Sequence, residues 1–319
     1  MLKSSMKKES FACLFAIAIF LCSCINGKNK YNLVSSQNGE YINLNDLSFL
    51  LEDTSIKSLK LGGGSYTDLS PLAMLHDLEE LSIDFNNNIT DISPIGSLSR
   101  LKKLKLNLID SLKDISPIGS LIGLENLTIY NCYNIESIEA ISSLVNLKYL
   151  GIIYNDKYYK ELVPLKQLEV LEIINTYNEI DVSYIAQLRT LKELVIQAPP
   201  YPYSEGSILN IDQLKNLVNL EELSIYYLGG VDLSWITSLQ KLRELRLYYC
   251  TVDNVSPLLE LPNLREVNLN YSEVRDITPL LESKSIKKIS GPIVLENNIG
   301  LYGLFRERGI EYNPHTSDR

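Results

Sequence analysis

One stretch decides the fold: residues 78–106, which read LEELSIDFNNNITDISPIGSLSRLKKLKL. It begins with Leu78-Glu-Glu-Leu-Ser-Ile83 and ends with Leu101-Lys-Lys-Leu-Lys-Leu106, so the spacing L-x-x-L-x-L returns after 23 residues. The alternation of apolar residues indicates a short strand with one buried face. Between the copies, Asp91-Ile-Ser-Pro-Ile95 reads as a helix start, because a serine hydroxyl can cap a helix and proline is tolerated at its first position. Each unit is therefore predicted to be a strand, a turn, and a short helix or 3₁₀ turn.

The same spacing recurs along most of the chain. Eleven starts run from Ile56 to Ile286 at intervals of 21 to 23 residues, apart from one interval of 29. One unit cannot bury its leucines alone, whereas units stacked in a line can. At about 4.8 Å per parallel strand, ten steps give a sheet on the order of 50 Å long. The predicted fold is an α/β solenoid with a curved parallel sheet on the concave side and short helices or 3₁₀ turns on the convex side.

The repeats resemble those of the leucine-rich repeat family. The segments Asp68-Leu-Ser-Pro-Leu72, Asp114-Ile-Ser-Pro-Ile118 and Asp276-Ile-Thr-Pro-Leu280 are similar to the bacterial, internalin-like 22-residue class, and the resemblance covers roughly residues 41–290. It implies recognition of another protein by the concave face. It also implies that the side chain three positions after L-x-L hydrogen-bonds the loop of the next turn. That position holds Asn86, Cys132, Asn155, Thr176, Cys250 and Ser272.

Two of these residues are cysteines. Cys132 and Cys250 lie five repeats apart, which corresponds to about 24 Å along the sheet. A disulfide requires Cα atoms within about 7 Å. We therefore predict two free, buried thiols.

The N-terminal segment has the pattern of an export signal. Met1–Lys8 carries three lysines, and the uncharged apolar run Phe11–Leu21 follows. This order is typical of a secretory signal, and the run is too short to span a bilayer as a helix. Leu21-Cys-Ser-Cys24 resembles the bacterial lipobox, which implies that Cys24 becomes the lipid-bearing first residue of the mature chain. An ordinary secreted protein cut nearby is the alternative.

These features divide the chain into five segments. We predict a lipoprotein signal peptide over residues 1–23, a flexible tether over 24–40 and an N-terminal cap with a half repeat over 41–55. The leucine-rich repeats follow over 56–290, and a C-terminal cap and tail over 291–319. Within the last segment, Gly300–Gly309 is predicted to contain a short amphipathic helix that ends at a glycine.

The side chains that point into the concavity follow from the alternation along each strand. They are polar in the repeats at both ends, whereas the middle repeats carry tyrosine and aliphatic residues. Contiguous exposed apolar surface usually marks an interaction site, and tyrosine is favoured in binding surfaces. An acidic column, Glu193, Glu222, Glu244 and Glu266, flanks this patch and could favour basic groups on a partner. The predicted ligand-binding residues are Tyr130, Tyr149, Ile153, Tyr154, Val170, Ile174, Val195, Tyr226 and Tyr248.

An insertion accounts for the longest interval. Residues 198–206 read APPYPYSEG and follow a predicted strand directly. Insertions at one point of a solenoid often belong to its binding face, so Tyr201 and Tyr203 are further candidate contact residues. A tolerated surface loop is the alternative. For the central patch, the alternatives are burial in a homodimer and the strand preference of tyrosine, isoleucine and valine. We expect a monomer in preference to a homo-oligomer.

Composition excludes several classes of function. A net charge of -9 and a pI of about 5.0 argue against nucleic acid as a partner. The only histidines are His76 and His315, and no H-E-x-x-H, G-x-S-x-G or G-x-G-x-x-G motif occurs. We therefore expect no catalysis, no cofactor and no metal. The expected protein is exported, is lipid-anchored to a bacterial membrane, at the outer membrane or cell surface, and binds a protein as an adhesin or host-interaction protein. The alternative is a periplasm-facing envelope scaffold or inhibitor that holds a resident protein.

Overall fold

The computed structural model describes residues 33–34, 47–51, 54–63, 66–153, 159–174, 179–198, 208–230, 232–291, 293–294 and 300–313. The predicted leucine-rich repeat solenoid is confirmed. The strands, in chain order, are β1 Leu33–Val34, β2 Ser58–Gly62, β3 Glu80–Asp84, β4 Lys103–Asn107, β5 Asn126–Tyr130, β6 Tyr149–Ile153, β7 Val170–Ile174, β8 Ile180–Asp181, β9 Glu193–Gln197, β10 Ile208–Leu209, β11 Glu222–Tyr226, β12 Glu244–Tyr248, β13 Thr251–Val252, β14 Glu266–Asn268, β15 Glu273–Val274, β16 Lys288–Ser290, β17 Ile293–Val294 and β18 Glu311–Asn313.

One 13-stranded sheet runs the length of the solenoid in the order β1-β2-β3-β4-β5-β6-β7-β9-β11-β12-β14-β16-β18. From β2 onward every neighbouring pair is parallel, and equivalent repeat positions lie in register. Two small parallel sheets form from short strands that follow main-sheet strands in the chain. One joins β8 with β10, and the other joins β13 with β15 and β17. A residue's position within its repeat therefore decides which side chains stand beside it.

Short 3₁₀ helices form the opposite side of the repeats. They are η1 Ser48–Leu51, η2 Ser70–Met74, η3 Ser93–Ser97, η4 Ser116–Ser120, η5 Glu139–Ser143, η6 Lys160–Leu162, η7 Ile185–Gln187, η8 Ile211–Asn216, η9 Ser234–Ser238, η10 Ser256–Glu260 and η11 Thr278–Glu282. One α-helix, α1 Leu301–Glu307, follows near the C-terminal end of the described chain.

The expected capping by the Ser-Pro hydroxyl is wrong. In η3 the serine is the first helical residue, and its backbone N–H donates to Asp91 Oδ1 at 2.8 Å. The same bond joins Ser70 to Asp68, Ser116 to Asp114 and Thr278 to Asp276. The carboxylate two residues earlier thus satisfies the orphan N–H in an Asx turn, a local bond that aspartate forms readily. Sequence reasoning found the right motif but assigned the cap to the wrong side chain.

A single apolar core runs between the sheet and the 3₁₀ helices. The position three residues after L-x-L is buried wherever the structure describes it, as at Asn86, Cys132 and Ser272. Ser272 Oγ donates to the Leu247 carbonyl at 2.7 Å and accepts from Cys250 N–H at 3.0 Å. Asn86 Nδ2 likewise donates to the Tyr66 carbonyl at 3.0 Å. The side chain at this position therefore bonds the backbone of the preceding repeat and not, as predicted, the loop of the next one, and it supplies partners that buried backbone groups need. Asn155 and Thr176 lie outside the described residues.

Cys132 and Cys250 are free and buried, as predicted. Burial raises the pKa of Cys132 to about 11 and that of Cys250 to about 12. Because only the thiolate is nucleophilic, we expect both to resist alkylation by iodoacetamide at pH 8 in the folded protein and to react after unfolding in guanidinium. Peptide mapping by mass spectrometry reads each site separately. Rapid labelling of either cysteine in the folded protein would contradict its position in the repeat.

The structure departs from expectation at both ends. Leu33 and Val34 fall in the segment expected to be a flexible tether, yet they pair antiparallel with Leu61 and Gly62. At the other end the predicted helix is confirmed as α1, with Phe305 fully buried. The chain then adds β18 to the sheet beside β16, a strand that the repeat pattern did not predict. The described chain therefore ends in a helix and a strand that follow the last repeat.

Candidate binding face

The concave face consists of the first, third and fifth side chains of each five-residue strand. In β5, β7, β9 and β12 these side chains are half-buried, while the second and fourth are fully buried in the core. This places the predicted residues Tyr130, Tyr149, Val170, Ile174, Val195, Tyr226 and Tyr248 on one face. Ile153 also belongs to it but is only 8% exposed, so it supports its neighbours more than it offers surface.

Four predicted site residues lie outside the described residues. They are the predicted lipidation site Cys24, the predicted ligand-binding residue Tyr154 and the insertion-loop residues Tyr201 and Tyr203. Their roles remain predictions from sequence.

The centre of the concave face is a hydrogen-bonded cluster built around Gly151. The Tyr130 hydroxyl, from β5, donates to the Glu172 carboxylate on β7. The Tyr130 side chain therefore crosses the intervening strand β6. A Cβ at Gly151 would lie 2.5 Å from Tyr130 Oη and 3.0 Å from Tyr149 Oη. Because glycine presents no side chain, the two phenols can lie over the β6 backbone.

The phenols of this cluster keep their protons. Burial raises the pKa of Tyr130 far above its usual value, and the hydrogen bond to Glu172 raises it further. Burial is also the main cause that raises the pKa of Tyr149 to about 12. A phenol must be protonated to donate a hydrogen bond to a carboxylate. The Tyr130–Glu172 bond therefore does not change through ionisation of the tyrosine at physiological pH.

Gly151→Ala is expected to lower the free energy of unfolding by about 1–2 kcal/mol, because the added methyl displaces Tyr130 from Glu172 and overpacks the site. The urea midpoint, followed by circular dichroism, measures the change. Gly229→Ala is the matched control, since a Cβ at that glycine would meet no atom within 4 Å. Equal midpoints for the two variants would show that Tyr130 does not depend on the space above Gly151.

Tyrosines form a second cluster toward the C-terminal repeats. The rings of Tyr226 and Tyr248 stack with centroids 4.8 Å apart, and Asn268 Nδ2 donates to Tyr248 Oη at 3.0 Å. Stacking and hydrogen bonding fix these side chains before any ligand arrives. A surface ordered in this way loses less entropy on binding.

A parallel row of tyrosines follows the strand ends at the lip of the concave face. Tyr227, Tyr249 and Tyr271 stack at 5.0 and 4.9 Å, and all three have positive φ values of 61°, 55° and 61°. The left-handed backbone is a property of the repeat turn, because Phe85 and Leu108 share it. The turn fixes the backbone at this position but does not require an aromatic residue there.

The acidic column lies on the first position of successive strands. Glu193, Glu222, Glu244 and Glu266 stand in register from β9 to β14. Arg246, from the third position of β12, pairs with Glu222 at 3.2 Å and with Glu244 at 2.6 Å. Lys288 pairs with Glu266 at 3.3 Å.

Sequence reasoning missed Gly151 and Glu172 as parts of the site. A glycine inside a strand is a signal for close approach of another group. Glu172 is a single charge between the apolar residues Val170 and Ile174. Their meeting depends on a tyrosine that reaches across a strand, which repeat alignment does not show.

Comparison with known proteins identifies the class. A family model described as R13L1/DRL21 LRRs matches residues 203–272. The crystal structure of an internalin (InlF) from Listeria monocytogenes is similar at 25% identity with a TM-score of 0.59, covering 76% of each chain. A leucine-rich repeat protein from Leptospira interrogans is similar at 21% identity with a TM-score of 0.55, covering 85% of this chain and 81% of that one.

A plant structure shares the fold at lower identity. The ectodomain of the Arabidopsis thaliana receptor kinase GASSHO1/SCHENGEN3, in complex with CASPARIAN STRIP INTEGRITY FACTOR 2, is 16% identical with a TM-score of 0.50. The match covers 82% of this chain and 38% of that one. No curated protein matches the sequence at a significant level.

The fold and the repeat spacing together define a leucine-rich repeat protein, a class that commonly serves as a protein-binding scaffold. Within that class, the chain is similar to the internalin from Listeria monocytogenes over 76% of its length.

Proposed function

We propose that this chain is an exported, lipid-anchored leucine-rich repeat protein that binds another protein through its concave face, as a surface adhesin or host-interaction protein. The observation that carries the proposal is the ordered tyrosine and aliphatic surface in the middle of that face. Tyr130, Tyr149, Tyr226 and Tyr248 are each held by a hydrogen bond or a stacked ring. Rigid aromatic side chains of this kind are the usual anchors of protein interfaces.

Two further observations support the proposal. The plant receptor ectodomain that shares the fold is in complex with a protein ligand. The lipobox-like segment that ends at Cys24 supports export and lipid attachment.

Among the described residues, no helix is long and apolar enough to cross a membrane.

Photo-crosslinking tests whether the partner binds at the concave face. Tyr248→p-benzoylphenylalanine, expressed in the source cells, is expected to give a defined adduct with one partner protein on irradiation. Val218→p-benzoylphenylalanine is the matched control, because Val218 is 49% exposed and precedes β11, outside the strand positions that form the concave face. Equal adducts from both positions, or adducts from Val218 alone, would place binding elsewhere.

Protease treatment of intact cells tests the location, with a periplasmic protein as the internal control. Removal of the repeat domain while the control survives is expected for a surface adhesin. Protection of the repeat domain would replace the adhesin role with the periplasm-facing scaffold or inhibitor.

A further inference from the structure

One carboxylate on the concave face stands apart from the ion pairs around it. Glu193 begins β9 at the first position and lies in register with Val170 on β7 and Glu222 on β11. Within the described part of the chain, no hydrogen bond or ion pair joins its carboxylate to another group. The neighbouring cation is already engaged, because Arg246 pairs with both Glu222 and Glu244.

The electrostatic surroundings of Glu193 are negative on balance. Partial burial raises the pKa of Glu193, the carboxylates of Glu222 and Glu172 raise it further, and Arg246 offsets only part of this effect. At the N-terminal end of the same face the charges compensate each other, since Lys103 pairs with Glu80 and Lys105 with Asp84. The excess of negative charge on this face is therefore local to the middle strands.

The residues beside Glu193 suit a long cationic side chain. Val170 stands next to it in register, and Val195 follows two positions later on the same strand and face. Lysine and arginine lay their aliphatic stems along apolar surface and keep the charged group at a polar site. Tyr149 lies one strand beyond Val170, in register with it, and offers a ring that attracts cations.

We propose that the protein partner inserts a lysine or arginine side chain at Glu193, with its stem against Val170 and Val195. This inference rests on the proposed binding by the concave face and adds the chemistry of the partner: a basic segment, recognised through charge complementarity and aromatic contact. A charge-assisted hydrogen bond to a partly buried carboxylate is among the stronger polar contacts in an interface.

The probe is a phage-displayed library of random dodecapeptides, selected on the full chain. Peptides recovered on the wild-type protein are expected to be enriched in lysine and arginine. Their affinity is expected to fall at least tenfold with Glu193→Gln and to remain unchanged with Glu80→Gln, a control at the same strand position in a compensated pair. Selection on Glu193→Lys is expected to recover peptides enriched in aspartate and glutamate instead.

The outcomes separate this inference from the function on which it rests. Peptides without cationic enrichment, unchanged affinity with Glu193→Gln, or no recovered peptides at all would overturn the basic-segment partner, while the photo-crosslinking result decides the concave face independently. Peptides that still bind the double variant Tyr149→Asp/Ile174→Asp would overturn binding by the concave face itself.

Discussion

Gly291→Val is expected to unfold the C-terminal end of the solenoid. Gly291 is buried with φ at 72°, and a Cβ there would lie 2.5 Å from the Leu269 carbonyl carbon and 2.6 Å from Asn270 N. These are backbone atoms of the preceding repeat, so no side-chain rotation relieves the overlap. A branched residue in the left-handed region adds its own strain. We expect a loss of about 3 kcal/mol or more in the stability of this end.

The loss should be local because repeats contact chiefly their neighbours. Gly291 N–H donates to the Asn313 carbonyl at 2.8 Å, so displacement of this residue frees β18 and, with it, the packing of Phe305. Hydrogen exchange with mass spectrometry should show lost protection over β16, α1 and β18 and intact protection at β5. Gly303→Ala, within α1 and with no atom near its added Cβ, is the control. Unchanged protection in Gly291→Val would mean that the close approach to Leu269 is not required.

Tyr149→Asp combined with Ile174→Asp is expected to weaken the affinity for the partner by about 100-fold or more. The two side chains lie in the middle of the concave face, where truncated anchors commonly cost at least 2 kcal/mol each in binding. The new carboxylates also stand close to Glu172, so they place unpaired charge where the partner must desolvate. Biolayer interferometry with the crosslinked partner measures the change in affinity.

The fold should survive this double change. Both side chains are half-buried on the solvent side of the sheet, so we expect the melting temperature to fall by only a few degrees. Val218→Asp serves as the control for an added carboxylate, because it introduces one aspartate at a half-exposed position outside the concave strands. A fall of more than about 10 °C would show that Tyr149 and Ile174 serve the core.

The repeat spacing alone predicts most of the architecture. Because Leu104 and Leu106 recur one repeat after Leu81 and Ile83, the spacing fixes which side chains face the core and which strands become neighbours. It also gives the buried position of Cys132 and Cys250. These features follow from one-dimensional order, in which each repeat meets only the repeats before and after it.

The features that the sequence did not predict depend on contacts between side chains that the repeat spacing does not specify. Tyr130 reaches Glu172 over a whole intervening repeat, and Gly151 matters only because that side chain passes above it. Asp91 accepts from the Ser93 N–H, whereas a capping Ser93 hydroxyl would accept from an N–H two or three residues later, and the sequence does not decide which bond forms. Burial of Ile153 likewise depends on neighbouring side chains that cover it, which alternation along a strand does not reveal.

With the proposed lipid anchor, the antiparallel pairing of Leu33 and Val34 with the first repeat would limit the distance between the solenoid and a bilayer. With the proposed lipid on Cys24, only residues 25–32 separate the anchor from β1. Eight extended residues span at most about 29 Å. The first repeats would then sit close to the lipid headgroups, and a partner would have to approach the middle strands from the side that faces away from the membrane. The anchor would thus restrict the directions from which a partner can reach the concave face, as well as the location of the protein.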